Sequence, residues 1–272
     1  MKVGRKVASC SFGKDSLVAI DAEMEANGDI DEALYCRVMF DENTSAELPE
    51  HEEWIWCYAI PLLQSRYGIK TTVVQADTNY VECFYRTFKN GKRGGEMYGF
   101  PFLKGPWCNS RLKMSPMNRW KTQNGNCTFV VGIEADEEMR SHKKTVRNKA
   151  LPLVAQGFTK EMVFDRARKR GLLSPGYGNG RDRLGCWFCH NQKTGELRKL
   201  RAMHPDLWGK LLALDGDSPV TFKAPRKGQC RGCTVRDFEE RFALEDEGWL
   251  LQDDTTFKWA LLDDNIQKKL FF

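Results

Sequence analysis

Two sets of residues in this chain have types and spacings suited to chemistry. The first is Ser11-Phe12-Gly13-Lys14-Asp15-Ser16, which follows a strand-like run over 3–10 and opens a helix-like pattern. A short hydroxyl- and glycine-bearing turn between strand and helix points backbone N–H groups and the positive helix end at an anion. Ser11 and Ser16 add hydroxyl donors and Lys14 adds positive charge, so phosphate is the expected ligand. The turn is not of the G-x-x-x-x-G-K-[ST] kind, because Ala8 stands five positions before Gly13 and Asp15 follows the lysine. An ordinary helix start capped by Asp15 or Ser16 is the bland reading of the same six residues.

The second set is thiols. Of ten cysteines, Cys10, Cys36 and Cys127 lie in strand-like runs and Cys57 and Cys83 in helix-like ones, where small buried hydrophobes are expected. Cys108 follows Pro106-Trp107, and the pairs Cys186/Cys189 and Cys230/Cys233 form two CxxC units 40 residues apart. Two CxxC turns can present four thiolates tetrahedrally, which suits zinc or an iron–sulfur cluster. Cys186 to His190 also spells the covalent haem attachment string, but that attachment normally needs export.

The elements that must position these residues alternate in type. A helix is expected from Asp15 until Gly28, strands over 33–40, 70–76 and 127–133, and an amphipathic helix over 48–68 with a break at Pro61. This order predicts an α/β domain with a mainly parallel sheet flanked by helices, over residues 1–155. Ligands on such sheets sit outside the carboxyl ends of the strands, which is where Ser11–Ser16, Asp41-Glu42 and Gly132–Asp136 fall. Residues 156–272 read as a helical, cysteine-rich extension with helices over 159–171, near 192–214 and around 255–269.

Composition is globular, with 272 residues, 41% hydrophobic and 29% charged, and a net charge of +5 that suits an anionic ligand. No run of eighteen apolar residues predicts a membrane span, and the first residues lack the apolar core of a secretory signal, so a cytoplasmic protein is expected. The basic, glycine-rich segments 88–99 and 140–149 are solvated connections or contacts to a nucleic acid.

Five segments in order resemble the phosphoadenosine phosphosulfate (PAPS) reductase-like family of the PP-loop, or adenine nucleotide alpha hydrolase-like, superfamily. "SFGKDS" resembles the PP-loop S-G-G-K-D-S, with Phe12 in place of the first glycine. The segment after the second strand resembles the family's at Asp41, and "WCNSRLKMSP" resembles C-x-x-x-L-K-x-x-P at Cys108, Lys113 and Pro116. "VVGIEADEEMR" resembles G-I-R-A-D-E-x-x-R at Gly132, Asp136, Glu137 and Arg140, with Glu134 where the family has arginine. The fifth, 151–172, resembles P-L-x-x-W-T-x-x-D-V.

The resemblance implies an adenine nucleotide (ATP, adenylylsulfate (APS) or PAPS) bound by Ser11, Phe12, Gly13, Lys14, Asp15, Ser16, Asp41, Lys113, Gly132, Glu134, Asp136 and Arg140. Glu134 disfavours an anionic sulfate and suits Mg²⁺ carried with ATP. The resemblance also implies a [4Fe–4S] cluster on Cys108, Cys186, Cys189 and one of Cys230 or Cys233, with zinc as the alternative metal. Two reactions fit: cleavage of ATP at the α-phosphate, with Lys14 at the phosphates, to adenylate an acceptor for sulfur transfer, or thiol-dependent reduction of APS or PAPS to sulfite. The family's terminal E-C-G-[LI]-H motif is absent, so the reductase would need Cys230 or Cys233, beside Arg226, Lys227, Arg231 and Arg236, as its nucleophile. A thiol or persulfide donor, a nucleic-acid acceptor and a homodimer are the implied partners. A zinc-stabilised nucleic-acid-binding module is the reading outside enzymology.

Overall fold

The computed structural model describes residues 4–101, 105–137, 142, 148–178, 180–181, 183–225, 231–252 and 254. In chain order its elements are β1 (Lys6–Ser9), α1 (Lys14–Ala26), β2 (Glu32–Arg37), α2 (Pro49–Trp54), a π-helical turn (Ile55–Ala59), α3 (Ile60–Tyr67) and β3 (Lys70–Gln75). Then come α4 (Tyr80–Phe84), a second π-helical turn (Asn109–Met114), α5 (Ser115–Asn124), β4 (Thr128–Val130), β5 (Lys149–Ala150), α6 (Pro152–Ala155) and α7 (Lys160–Lys169). A 3₁₀ turn (Pro175–Tyr177), α8 (Thr194–Met203), α9 (Pro205–Asp217) and α10 (Val235–Asp246) complete the described elements. The expected helix around 255–269 lies outside the described residues.

The chain divides into two compact units that do not follow its order. One comprises Met1–Asn79 with Asn109–Cys186, the other Tyr80–Cys108 with Trp187–Phe272. Residues 156–186, read from the sequence as the start of the extension, therefore pack with the sheet.

In the first unit the five strands run β3-β2-β1-β4-β5, all parallel. Ala33, Leu34 and Tyr35 are buried in succession, as a strand covered on both faces requires. One face meets α1, α3 and α7 through Leu17, Ile20, Leu63, Val163 and Ala167; on the other, Trp120 and Met117 of α5 pack with Val7, Leu34 and Phe129. The chain leaves β1 for β2 on one side and returns to pair β4 on the other, so the strand order switches at β1.

Both π-helical turns end just before a helix with proline in its first two positions, Pro61 and Pro116. Proline has no N–H and its ring crowds the carbonyl four residues back, so the helix widens instead of stopping. The expected break at Pro61 is thus a local widening. Cys57 in the first of these turns is exposed, against its expected burial. The expected helix near 192–214 is two helices, because His204 before Pro205 is forced out of the helical region, to φ −135° and ψ 65°.

The second unit is built on aromatic rings. Phe84, Phe100, Phe222 and Phe238 meet edge to face in sequence, with centroids 5.3, 5.1 and 6.5 Å apart. Thr234 and Asp237 cap α10 reciprocally: the Thr234 N–H donates to Asp237 Oδ2 at 2.7 Å and the Asp237 N–H to Thr234 Oγ1 at 3.0 Å. Among the described residues no helix is long and apolar enough to cross a membrane.

Candidate anion-binding site

The turn after β1 is shaped by Phe12 and Ser16. The Cys10 N–H still donates to the Leu34 carbonyl at 3.0 Å, and then Phe12 takes φ +55° and reverses the chain. A non-glycine residue holds that conformation only when its surroundings insist on it. Here the phenyl ring is fully buried and meets Tyr35 edge on, 5.1 Å between centroids. Phe12 therefore anchors the turn in the core. The Ser16 hydroxyl donates to the Gly13 carbonyl at 2.9 Å and accepts the Ser11 N–H at 3.3 Å, lacing the loop closed, while Ser11 itself is exposed.

Gly13 opens α1 with no side chain to cap it. The first-turn N–H of Lys14 donates to the Tyr177 hydroxyl at 2.9 Å. The Lys14 side chain is buried, its ammonium joined to the carboxylates of Asp15 and Glu134 and lying 4.6 Å from the centre of the Phe164 ring. Burial of Glu134, reinforced by the Asp15 charge and opposed by Lys14, lifts its carboxyl to about 7. The arrangement is a buried lysine shared by two carboxylates at the positive end of a helix.

The loop after β4 comes against this turn. A β-carbon on Gly132 would stand 2.3 Å from the Asp15 carbonyl oxygen and 2.7 Å from the Ser16 nitrogen. The loops after β1 and β4 thus meet at the strand-order switch, the crevice where open parallel sheets bind ligands.

A buried polar pair supports the turn that carries Tyr177. Ser174 Oγ accepts the Gly176 N–H at 3.1 Å and lies 2.8 Å from His51 Nδ1, which pins the Pro175–Tyr177 turn carrying the Tyr177 hydroxyl. His51 Nε2 lies 3.8 Å from Glu47 Oε2. Burial drives His51 down to about 4 and Glu47 up to about 7. Sequence reasoning missed Glu47, His51, Phe164, Ser174 and Tyr177. The Ser174-Pro175-Gly176 turn signal was legible, but its proximity to Lys14 was not.

The remaining expected residues are placed variously. Asp41 Oδ1 accepts the N–H groups of Asn43 and Thr44 at 2.9 and 2.6 Å, closing its own turn. Lys113 lies on the second π-helical turn, and its charge acts on Cys36 and Glu47. Asp136 is exposed and accepts the Lys160 N–H at the start of α7, at 3.3 Å. Arg140 and Cys230 lie outside the described residues.

Cys186 belongs to the first unit, Cys108, Cys189 and Cys233 to the second. Cys233 is buried and exchanges both backbone hydrogen bonds with Lys223, while Arg231 forks onto Asp237 at 2.6 and 3.0 Å. Among the described residues no three His, Cys, Asp or Glu side chains gather in a group able to hold a metal ion. Of the five cysteines expected to hold metal, Cys108, Cys186, Cys189 and Cys233 are described and Cys230 is not.

No protein-family model matches the chain. It is similar to an uncharacterized protein of Methanocaldococcus jannaschii, 26% identical over 212 residues, which are 74% of this chain and 39% of that protein. The chain thus spans well under half the length of this curated relative.

Proposed function

We propose that this chain is a PP-loop adenine-nucleotide enzyme, akin to the PAPS reductase-like family, that cleaves ATP at its α-phosphate to adenylate an acceptor for sulfur transfer. The observation that supports this reading is the meeting of the Ser11–Ser16 turn with the Gly132 loop at the sheet's switch point, over the first turn of α1, whose N-cap Gly13 has no side chain to cap it.

The acceptor's nucleophilic oxygen attacks the α-phosphorus, the bridging bond to the β-phosphate breaks, and pyrophosphate leaves with the electron pair. The acceptor's proton passes to solvent. The first-turn N–H groups of α1 and the Lys14 ammonium hold the charge that gathers on pyrophosphate. Asp15 and Glu134 would hold the Mg²⁺ carried with ATP, which would offset phosphate charge, and Lys14, their partner in the structure, would then face the phosphates. In a second step a sulfur nucleophile displaces AMP from the adenylated acceptor. The proposal extends to a thiol or persulfide donor, and to a [4Fe–4S] cluster or zinc on the cysteines named above.

Calorimetric titration of anaerobically purified protein with ATP–Mg²⁺, APS and PAPS tests the reading. Preference for ATP–Mg²⁺ is expected. Tight binding of a sulfonucleotide with weak ATP binding would make the protein a reductase. Salt-dependent binding of RNA or DNA without any nucleotide binding would make it a nucleic-acid module.

A further inference from the structure

Tyr177 stands against the first turn of α1 with a hydrogen bond to spare. Its hydroxyl accepts the Lys14 N–H, which is one of the donors the first turn of α1 offers an anion. The hydroxyl also lies 3.3 Å from the point a Gly13 β-carbon would occupy, so it reaches into the turn itself. The ring is clamped edge on against Phe164, 5.6 Å between centroids, and its backbone is fixed by the Ser174 cap and by His51 behind it. Tyr177 is 9% exposed. Among the described residues its hydroxyl proton has no acceptor, although buried hydroxyls ordinarily find one.

Burial holds this phenol protonated, and the charges of Asp15, Glu134 and Glu47 act in the same direction. The hydroxyl is therefore a neutral donor at any physiological pH. Taking the Lys14 N–H polarises it and strengthens the bond it gives. A phosphate seated on the first turn of α1 would meet the Tyr177 hydroxyl in place of the Lys14 N–H.

We propose that Tyr177 is a phosphate ligand of this site, accepting the Lys14 N–H and donating its own proton to a non-bridging oxygen of the bound di- or triphosphate. The inference rests on the nucleotide reading above and adds a residue from outside the turn to the phosphate shell. It also gives the Ser174–His51 contact a purpose, because that contact sets where the hydroxyl stands.

The test is equilibrium binding of inorganic pyrophosphate and of ATP–Mg²⁺ to the full chain and to Tyr177→Phe, which keeps the Phe164 contact and removes only the oxygen. Tyr177→Phe is expected to bind both about 10- to 100-fold more weakly, the effect of losing a hydrogen bond to a charged group. In protein labelled at the tyrosine ring carbon that bears oxygen, one carbon resonance is expected to shift as pyrophosphate saturates. If the wild type binds pyrophosphate while Tyr177→Phe binds equally well or more tightly, the hydrogen bond is overturned and the nucleotide reading stands. If the wild type binds neither ligand, both fall. Should Tyr177→Phe fail to fold, the wild-type spectrum decides, and a saturated protein with no shifted tyrosine carbon overturns the proposal.

Discussion

Gly132 lies so close to Asp15 that a β-carbon on it would stand 2.3 Å from the Asp15 carbonyl oxygen. The atom in the way is backbone in the first turn of α1, so no side-chain rotation relieves the contact. Gly132→Ala is expected to push the β4 loop off the turn and destabilise the protein by about 1–3 kcal/mol, the usual result of overpacking. Loss of pyrophosphate binding should exceed what the fall in melting temperature explains. Gly209→Ala in α9 is the contrast: nothing lies within 4 Å of the added carbon, and about 1 kcal/mol of stabilisation is expected.

Asp21 is fully buried on α1 and holds α7 to it. Arg166 Nε donates to its carboxylate at 2.5 Å, Arg170 Nε at 3.2 Å, and the Tyr67 hydroxyl adds a third bond. Asp21→Asn removes the buried carboxylate that Arg166 and Arg170 share, leaves both arginines their pairs with Glu25, and is expected to destabilise by about 1–3 kcal/mol in denaturant unfolding. Against the penalty of burial, Tyr67, Arg166 and Arg170 hold the Asp21 carboxyl below its ordinary range. Its contribution is therefore complete above the unfolded carboxyl's pKa and is lost as pH falls through the lower folded value, so Asp21→Asn should flatten the acid limb of the stability profile.

Glu47 has the opposite sign. Burial raises its carboxyl from 4.5 to about 7, so between those values the folded protein holds a proton that the unfolded chain has released. Unfolding free energy falls as pH rises through that window. Glu47→Gln mimics the protonated side chain. Its stability relative to wild type should rise from about pH 4.5 to about 7 and level off above, in paired urea titrations. A difference that stays flat across the window would show that Glu47 is not held protonated.

The cysteines make a separable prediction. Anaerobically purified protein is expected to contain iron with acid-labile sulfide, and Cys186→Ser and Cys189→Ser should each lose both. Zinc without sulfide would replace the cluster by the alternative metal, and metal-free protein would sink both.

The alternation of strands and helices, and the placing of the Ser11–Ser16 turn between β1 and α1, were legible in the sequence. Those depend on local spacing: strand-like runs, a glycine stop at Gly28, hydroxyls and lysine between strand and helix. It also marked Gly132 as part of a loop at a strand end, yet nothing local to Gly132 says that it must lack a β-carbon. That requirement comes from α1, over a hundred residues earlier, and exists only because β4 pairs with β1. β5 is two residues long, too short for any periodicity to reveal, and is defined by its pairing with β4. Widening rather than breakage at Pro61 likewise depends on burial of Ile55, Ala59 and Leu63 against the core, which holds the helix together around the lost hydrogen bond. Lys14 read as a free cation for phosphate. Only the tertiary structure brings Glu134, Phe164 and Tyr177 to it from three later segments, because the groups that set a charge's environment are neighbours in space and distant along the chain.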